Sequence, residues 1–207
     1  ILQGNIESAL SSASDPKTQQ VLVTLQAEVA HLTSITRKLL LLSQADAGNL
    51  SIEKKEFDWS VLLSKTVDDA HDLFDSKQVS CSIDTSIWTS GDACLLMRLI
   101  NNLLTNISKY ALPNTPIYIS SKRVNGVVET RFMNRGQLMT VEQRDRMFDR
   151  FYRSDNPSGT NGTTGTGLGL SLAREIARAY GGDLVLEATA LDVFEFKLTL
   201  PVVQKAV

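Results

Sequence analysis

Apolar positions follow two regimes along this chain. In residues 1–12, Ile1, Leu2, Ile6 and Leu10 recur at helical spacing. Ser12-Ala13-Ser14-Asp15-Pro16 then breaks the pattern, with Ser14 or Asp15 as a cap and Pro16 in a first helical turn. A long helix is predicted from about Lys17 to Ala47. Val21, Leu25, Leu32, Ile35, Leu39 and Leu42 alternate steps of three and four, with Glu28 as the polar exception. Leu22 and Val29 widen the face, and Gly48-Asn49 ends the helix. A heptad stripe of this width on a helical hairpin needs a partner. It predicts a hairpin that dimerises into a four-helix bundle; the alternative packs both helices on the remaining chain.

Beyond Leu50 the pattern becomes mixed. Strands are predicted at Ser51–Phe57, Val79–Ile83, Leu184–Leu186 and Phe194–Leu200. Helices are predicted at Trp59–Phe74, Asp92–Tyr110, Val141–Phe148 and Leu168–Tyr180. Pro113–Pro116 marks a turn. Asn125-Gly126, a type I′ signal, joins Ile117–Val124 to Val127–Met133 as a hairpin. Residues Arg153 to Thr166 are polar and rich in Gly, Thr and Ser, and read as a mobile loop. The class expected is α+β, an α/β sandwich with one sheet behind a two-helix hairpin. The boundary falls between residues 1–50 and 51–207.

Composition narrows the function classes. The chain has 207 residues, 43% of them hydrophobic and 21% charged, enough for a core without staples. Lys plus Arg number 21 against 23 Asp plus Glu, so no basic footprint for nucleic acid exists. Cys81 and Cys94 form no CxxC pair, which argues against a zinc site or a disulfide framework and fits a reducing cytoplasm. The longest fully apolar run, Leu39–Leu42, is too short for a bilayer, so solubility is expected. A start at Ile1 without a signal pattern points to a piece of a longer protein.

Two segments carry candidate chemistry. Seven of the 12 glycines fall between Gly159 and Gly182, and Gly165-Thr-Gly167-Leu168-Gly169 runs into a helix. Glycines let backbone approach an anion, and a helix N-terminus offers free N–H groups, which suits phosphate. The loop is not a Walker A motif, and a dinucleotide fingerprint would need glycine at Leu170. The second segment is Asn101-Asn102-Leu-Leu-Thr-Asn106-Ile-Ser-Lys109-Tyr110. Asn102 and Asn106 share a helix face with Lys109 three residues on, opposite an apolar side of Leu99, Ile100, Leu103, Leu104 and Ile107. A carboxamide oxygen is a hard ligand suited to Mg²⁺, and an ammonium pairs with phosphate.

Together these segments resemble sensor histidine kinases. Asn102 to Tyr110 is similar to their N box, Met147-Phe148-Asp149-Arg150-Phe151-Tyr152-Arg153 to their F box, and Gly165 to Ala173 to their G2 box. Leu39 to Leu50 is similar to the end of their second dimerisation helix. The resemblance implies a Bergerat-type ATP-binding catalytic domain from about residue 51, behind a dimerisation and phosphotransfer hairpin. It implies ATP and Mg²⁺ as ligands, with Asn106 on the metal and Asn102 organising the site. Lys109 and Arg153 are implied at the phosphates, and Tyr110 along the nucleotide. Phe148 and Phe151 support the lid, while Gly165, Gly167, Leu168 and Gly169 form the phosphate loop. Asn134 and Gly136 stand in the adenine-binding G1 box. The implied partners are a second copy of the chain and a response-regulator receiver domain. The implied setting is the cytoplasmic side of the inner membrane, reached through segments upstream.

Two departures from the family pattern stand out. The G1 box normally reads Asp-x-Gly-x-Gly, and here it reads Asn134-Arg135-Gly136-Gln137-Leu138. Asn replaces the adenine-binding Asp and loses charge assistance, while Leu138 adds a side chain, so weakened nucleotide recognition is one expectation. A nucleotide-binding-impaired pseudokinase or dimeric regulatory module is therefore the rival to an active kinase. A chaperone- or gyrase-type ATPase is a third reading, opposed by the heptad hairpin. Ala188-Thr-Ala190-Leu-Asp192, in the last hairpin, lacks the family's glycines and is expected to be peripheral. The second departure is the acceptor. His31 lacks the family's His-Glu-x-x-x-Pro setting and reads as a helix-surface residue, and His71 as structural. The acceptor is expected just upstream of Ile1.

Overall fold

The computed structural model describes residues 2–50, 55–74, 77–153 and 165–203. The starts of the strand predicted at Ser51 and most of the predicted loop lie outside these residues. The chain divides into two compact units, Ile1–Ser43 and Gln44–Val207. Among the described residues no helix is long and apolar enough to cross a membrane.

The first unit comprises α1 (Leu2–Ser12) and α2 (Pro16–Asp46) up to Ser43. Asp15 is the cap: its Oδ2 accepts from the Thr18 amide at 3.0 Å and the Thr18 hydroxyl at 2.9 Å. On α2 four positions of the predicted stripe, Val21, Leu25, Leu32 and Leu39, are exposed, while Ile35 is half-buried and Leu42, at the end of the stripe, is buried. His31 is also exposed, as a helix-surface residue.

In the second unit, β1 (Lys55–Asp58) leads into α3 (Trp59–Asp69), capped by Asp58, which accepts from Ser60 N at 2.9 Å. The helix predicted to Phe74 stops at Asp69, and His71–Phe74 form a 3₁₀ turn. His71 opens that turn and is exposed rather than packed in a helix. Next come β2 (Val79–Ile83), β3 (Trp88–Gly91) and α4 (Ala93–Tyr110). The hairpin β4 (Ile117–Val124) and β5 (Val127–Arg135) turns through Asn125 and Gly126, with φ of 48° and 81° as a type I′ turn requires. α5 (Val141–Asp145), α6 (Gly169–Ala179), β6 (Asp183–Ala190) and β7 (Val193–Pro201) complete the unit.

The main sheet has the order β2-β4-β5-β7-β6, with β2 and β4 parallel and the other pairs antiparallel. A second sheet of two short antiparallel strands, β1 and β3, was not expected. Its inward positions on β3 are Thr89 and Gly91, which leave no apolar alternation to read.

α4 buries Leu96, Leu99, Ile100, Leu103, Leu104 and Ile107, and packs against α6, which also lies on β6 and β7. Three polar residues line the inner face of the sheet: Ser121, Thr130 and Asn134. Two of them are accounted for by Trp59. Its buried indole N–H lies 3.1 Å from Ser121 Oγ and 3.0 Å from Thr130 Oγ1, and the two hydroxyls are 2.9 Å apart. Asn134 belongs to the site.

Candidate active site

Asp92 caps α4, accepting from Cys94 N at 2.8 Å, and its own amide donates to the Tyr180 hydroxyl at 3.0 Å. The apolar spacing turns one side of α4 inward, which leaves Asn102 and Asn106 half-buried on the same flank. Asn102 Oδ1 lies 3.9 Å from where a side chain at Gly169 would begin, so the two segments singled out from sequence meet. Asn102 Nδ2 is buried without a hydrogen-bond partner. α6 starts here at Gly169, and its N-cap residue, Leu168, is buried and supplies no side-chain cap. The first amides of α6 thus lack a side-chain acceptor.

The far end of α4 clips onto the G1-like segment. Leu112 N donates to Arg135 O at 2.8 Å, and Ala111 bridges to Gly136. The space for a side chain at Gly136 is taken by the Phe194 ring, 2.8 Å away, and by Tyr110 O at 3.2 Å. Asn134 is only 4% exposed. Its Nδ2 donates to Arg135 O at 3.2 Å, while Oδ1 is buried and unpaired. Leu138, by contrast, is 67% exposed.

Arg135 pairs with Asp192 at 3.3 Å, and Gly136 N donates to Asp192 O at 2.9 Å. The β6–β7 turn therefore touches the G1-like segment, which corrects the expectation of a peripheral loop. Two chain segments 56 residues apart converged there, which local pattern does not register.

The F-box-like segment follows α5, whose Thr140 and Gln143 form a capping box. The helix predicted to Phe148 ends at Asp145 and gives way to tight turns. Phe148 packs edge-on against Phe196, centroids 6.5 Å apart, and the Arg174 guanidinium covers its ring at 5.0 Å. Phe151 is exposed and adopts φ of 62°, rare for a bulky residue. Its N–H donates to Gly167 O at 3.0 Å. Gly167 has φ of 67°, and a Cβ there would fall 2.6 Å from the Phe151 carbonyl carbon, so only glycine fits. Gly165 has open space around it. Lys109 and Arg153 are both exposed, at the end of α4 and after the F-box-like turns.

Sequence reading missed the supports of this arrangement. Arg174 reaches Asp183 at 3.0 and 3.2 Å, and Arg178 reaches the same carboxylate at 3.2 Å. Burial pushes the Asp183 carboxyl up, but Arg174, the Leu184 amide and Arg178 together hold it below its ordinary value. The paired arginines four apart on α6, followed by Asp183, were the available signal.

Residues 91–204 match the model of the family described as histidine kinase-, DNA gyrase B- and HSP90-like ATPases. The chain belongs to that family. This ATPase family implies nucleotide binding, and the matched region contains all of the site described above. Among curated relatives, the chain is 30% identical over 182 residues to the probable sensor protein PcoS of Escherichia coli, covering 88% of the chain and 39% of that protein. It is 29% identical over 203 residues to the signal transduction histidine-protein kinase BaeS of Escherichia coli strain K12, covering 97% of the chain and 43% of that protein. The chain thus spans about two fifths of their length. The solved Acinetobacter baumannii histidine kinase AdeS shares the fold with a TM-score of 0.71 at 19% identity, over 98% of this chain and 94% of that one.

Proposed function

We propose that this ATPase-family chain is the catalytic core of a sensor histidine kinase. It uses Mg-ATP to phosphorylate a histidine, expected ahead of Ile1, for relay to an aspartate on a response-regulator receiver domain. The observation that carries this reading is the meeting of Asn102 with the start of α6. A buried amide without a partner is costly unless something enters to accept its hydrogen bond. Uncapped amides at a helix N-terminus suit phosphate oxygens.

Asn106 is the residue that would hold Mg²⁺, through its carboxamide oxygen. A single protein ligand suits an ion that keeps waters and phosphate oxygens around itself. When bound, Mg²⁺ neutralises charge on the transferring phosphates. Asn102 fixes the phosphate chain beside Asn106. Lys109 and Arg153 offer cations to it, Arg153 toward the γ-phosphate. Gly165, Gly167, Leu168 and Gly169 present backbone N–H groups. Tyr110 lies along the nucleotide, and Phe148 and Phe151 brace the loop that covers it. At the other end, Asn134 Oδ1 accepts from the adenine amino group beside Gly136. Phosphoryl transfer then needs positioning and charge stabilisation more than covalent chemistry from the protein.

The exposed stripe on α2 supports a homodimer through the helical hairpin. Upstream segments would hold the whole protein at the inner membrane, with this part facing the cytoplasm. The test is phosphorylation of the full-length protein with γ-labelled ATP. Acid-labile label on a histidine, passed to a receiver-domain aspartate, is the expected result. Absence of phosphohistidine would overturn the assignment.

A further inference from the structure

We infer that Asp46 is a positioning residue for the glycine loop, acting through Arg150 and Phe151; its effect on nucleotide rests on the function proposed above. Asp46 is the last residue of α2 and lies within the second compact unit. Both of its carboxylate oxygens engage Arg150, Oδ2 at 2.8 Å from Nη1 and Oδ1 against Nη2. This two-pronged geometry orients a guanidinium as well as attracting it. The pair lowers the Asp46 pKa and raises that of Arg150.

Arg150 immediately precedes Phe151, whose left-handed backbone would relax if the turn were free to rearrange. The Phe151 amide is the donor to Gly167 O, and the two backbones lie so close that a Cβ on Gly167 would fall 2.6 Å from the Phe151 carbonyl carbon. Gly167 stands two residues before Gly169, the first residue of α6. The route from Asp46 to the loop is therefore one ion pair, one peptide link and one backbone hydrogen bond. It makes the end of α2 part of the support for the phosphate loop.

Asp46 and Arg150 are 50% and 41% exposed, so water and salt screen them and the effect is modest. Asp46→Asn and Arg150→Gln should each speed exchange of the Phe151 amide by about two- to fivefold in nucleotide-free protein, the range expected of such a pair. The charge-swapped double variant Asp46→Arg/Arg150→Asp should restore slow exchange. ATP affinity, measured on the same samples, should fall and recover by the same factors. Unchanged Phe151 exchange in both single variants, or no recovery in the double variant, overturns the positioning role. A parent chain that fails to bind ATP overturns the proposed function instead, while the exchange experiment still decides the role of Asp46.

Discussion

At Asn134 a single substitution of carboxamide for carboxylate can be weighed from both sides. A hydrogen bond to a charged acceptor contributes about 1.5–3 kcal/mol, against about 0.5–1.5 kcal/mol for a neutral one. From sequence alone, Asn134→Asp should tighten ATP binding by up to about tenfold. The structure adds an opposing effect, because Nδ2 donates to Arg135 O and an aspartate would lose that bond. The expected gain falls to about two- to fivefold in calorimetric ATP affinity, a net of roughly 0.4–1 kcal/mol. No gain would count against Oδ1 as the acceptor of the adenine amino group. Leu138→Gly should leave affinity unchanged, since the Leu138 side chain stands exposed to solvent. The identity of residue 134 was legible in the motif. Its solitary buried oxygen was not, because it depends on how β5 and β7 pair.

Among the elements, α4 and the β4–β5 hairpin were legible because each carries its own code. Asp92 caps an amphipathic run, and Asn-Gly specifies a turn with positive φ at both residues. The 3₁₀ turn after α3, the strand β3 and the tight turns around Phe148 were not legible. Their form depends on partners distant in sequence, such as Tyr180 against Gly91 and Gly167 against Phe151. α6 is likewise anchored from outside itself, its Arg174 and Arg178 both held by Asp183 at the start of β6. The folded pKa of Asp183 lies below its unfolded value of 3.8. Its contribution to stability is therefore fully present above that value and is lost as pH falls through the folded pKa. Thermal unfolding should show Asp183→Asn less stable than the parent by a constant margin from pH 7 to 5, narrowing once the pH drops below 3.8. A margin at pH 3 as wide as at pH 7 would show that the ion pairs with α6 are not what Asp183 contributes.

On the scale of the whole molecule, the heptad stripe predicts an assembly. Burying a leucine side chain contributes about 1.5–3 kcal/mol, and Leu32 is 60% exposed in the single chain. Leu32→Asp should convert a dimer to a monomer in light scattering. A parent that stays monomeric at high concentration would leave the stripe without its partner. The central claim concerns the nucleotide, which draws on α4, the glycine loop and the end of β5 at once. Its most direct test is titration calorimetry of Mg-ATP into the parent and into Asn106→Ala. Asn106 is half-buried on α4 outside the apolar side that fills the core, so the variant should keep its fold by circular dichroism. The parent should bind Mg-ATP, and the folded Asn106→Ala chain should lose Mg²⁺-dependent binding. Equal Mg-ATP affinity in the two proteins would contradict the assignment of the metal ligand, and an absence of binding in the parent would favour an impaired regulatory module over a kinase.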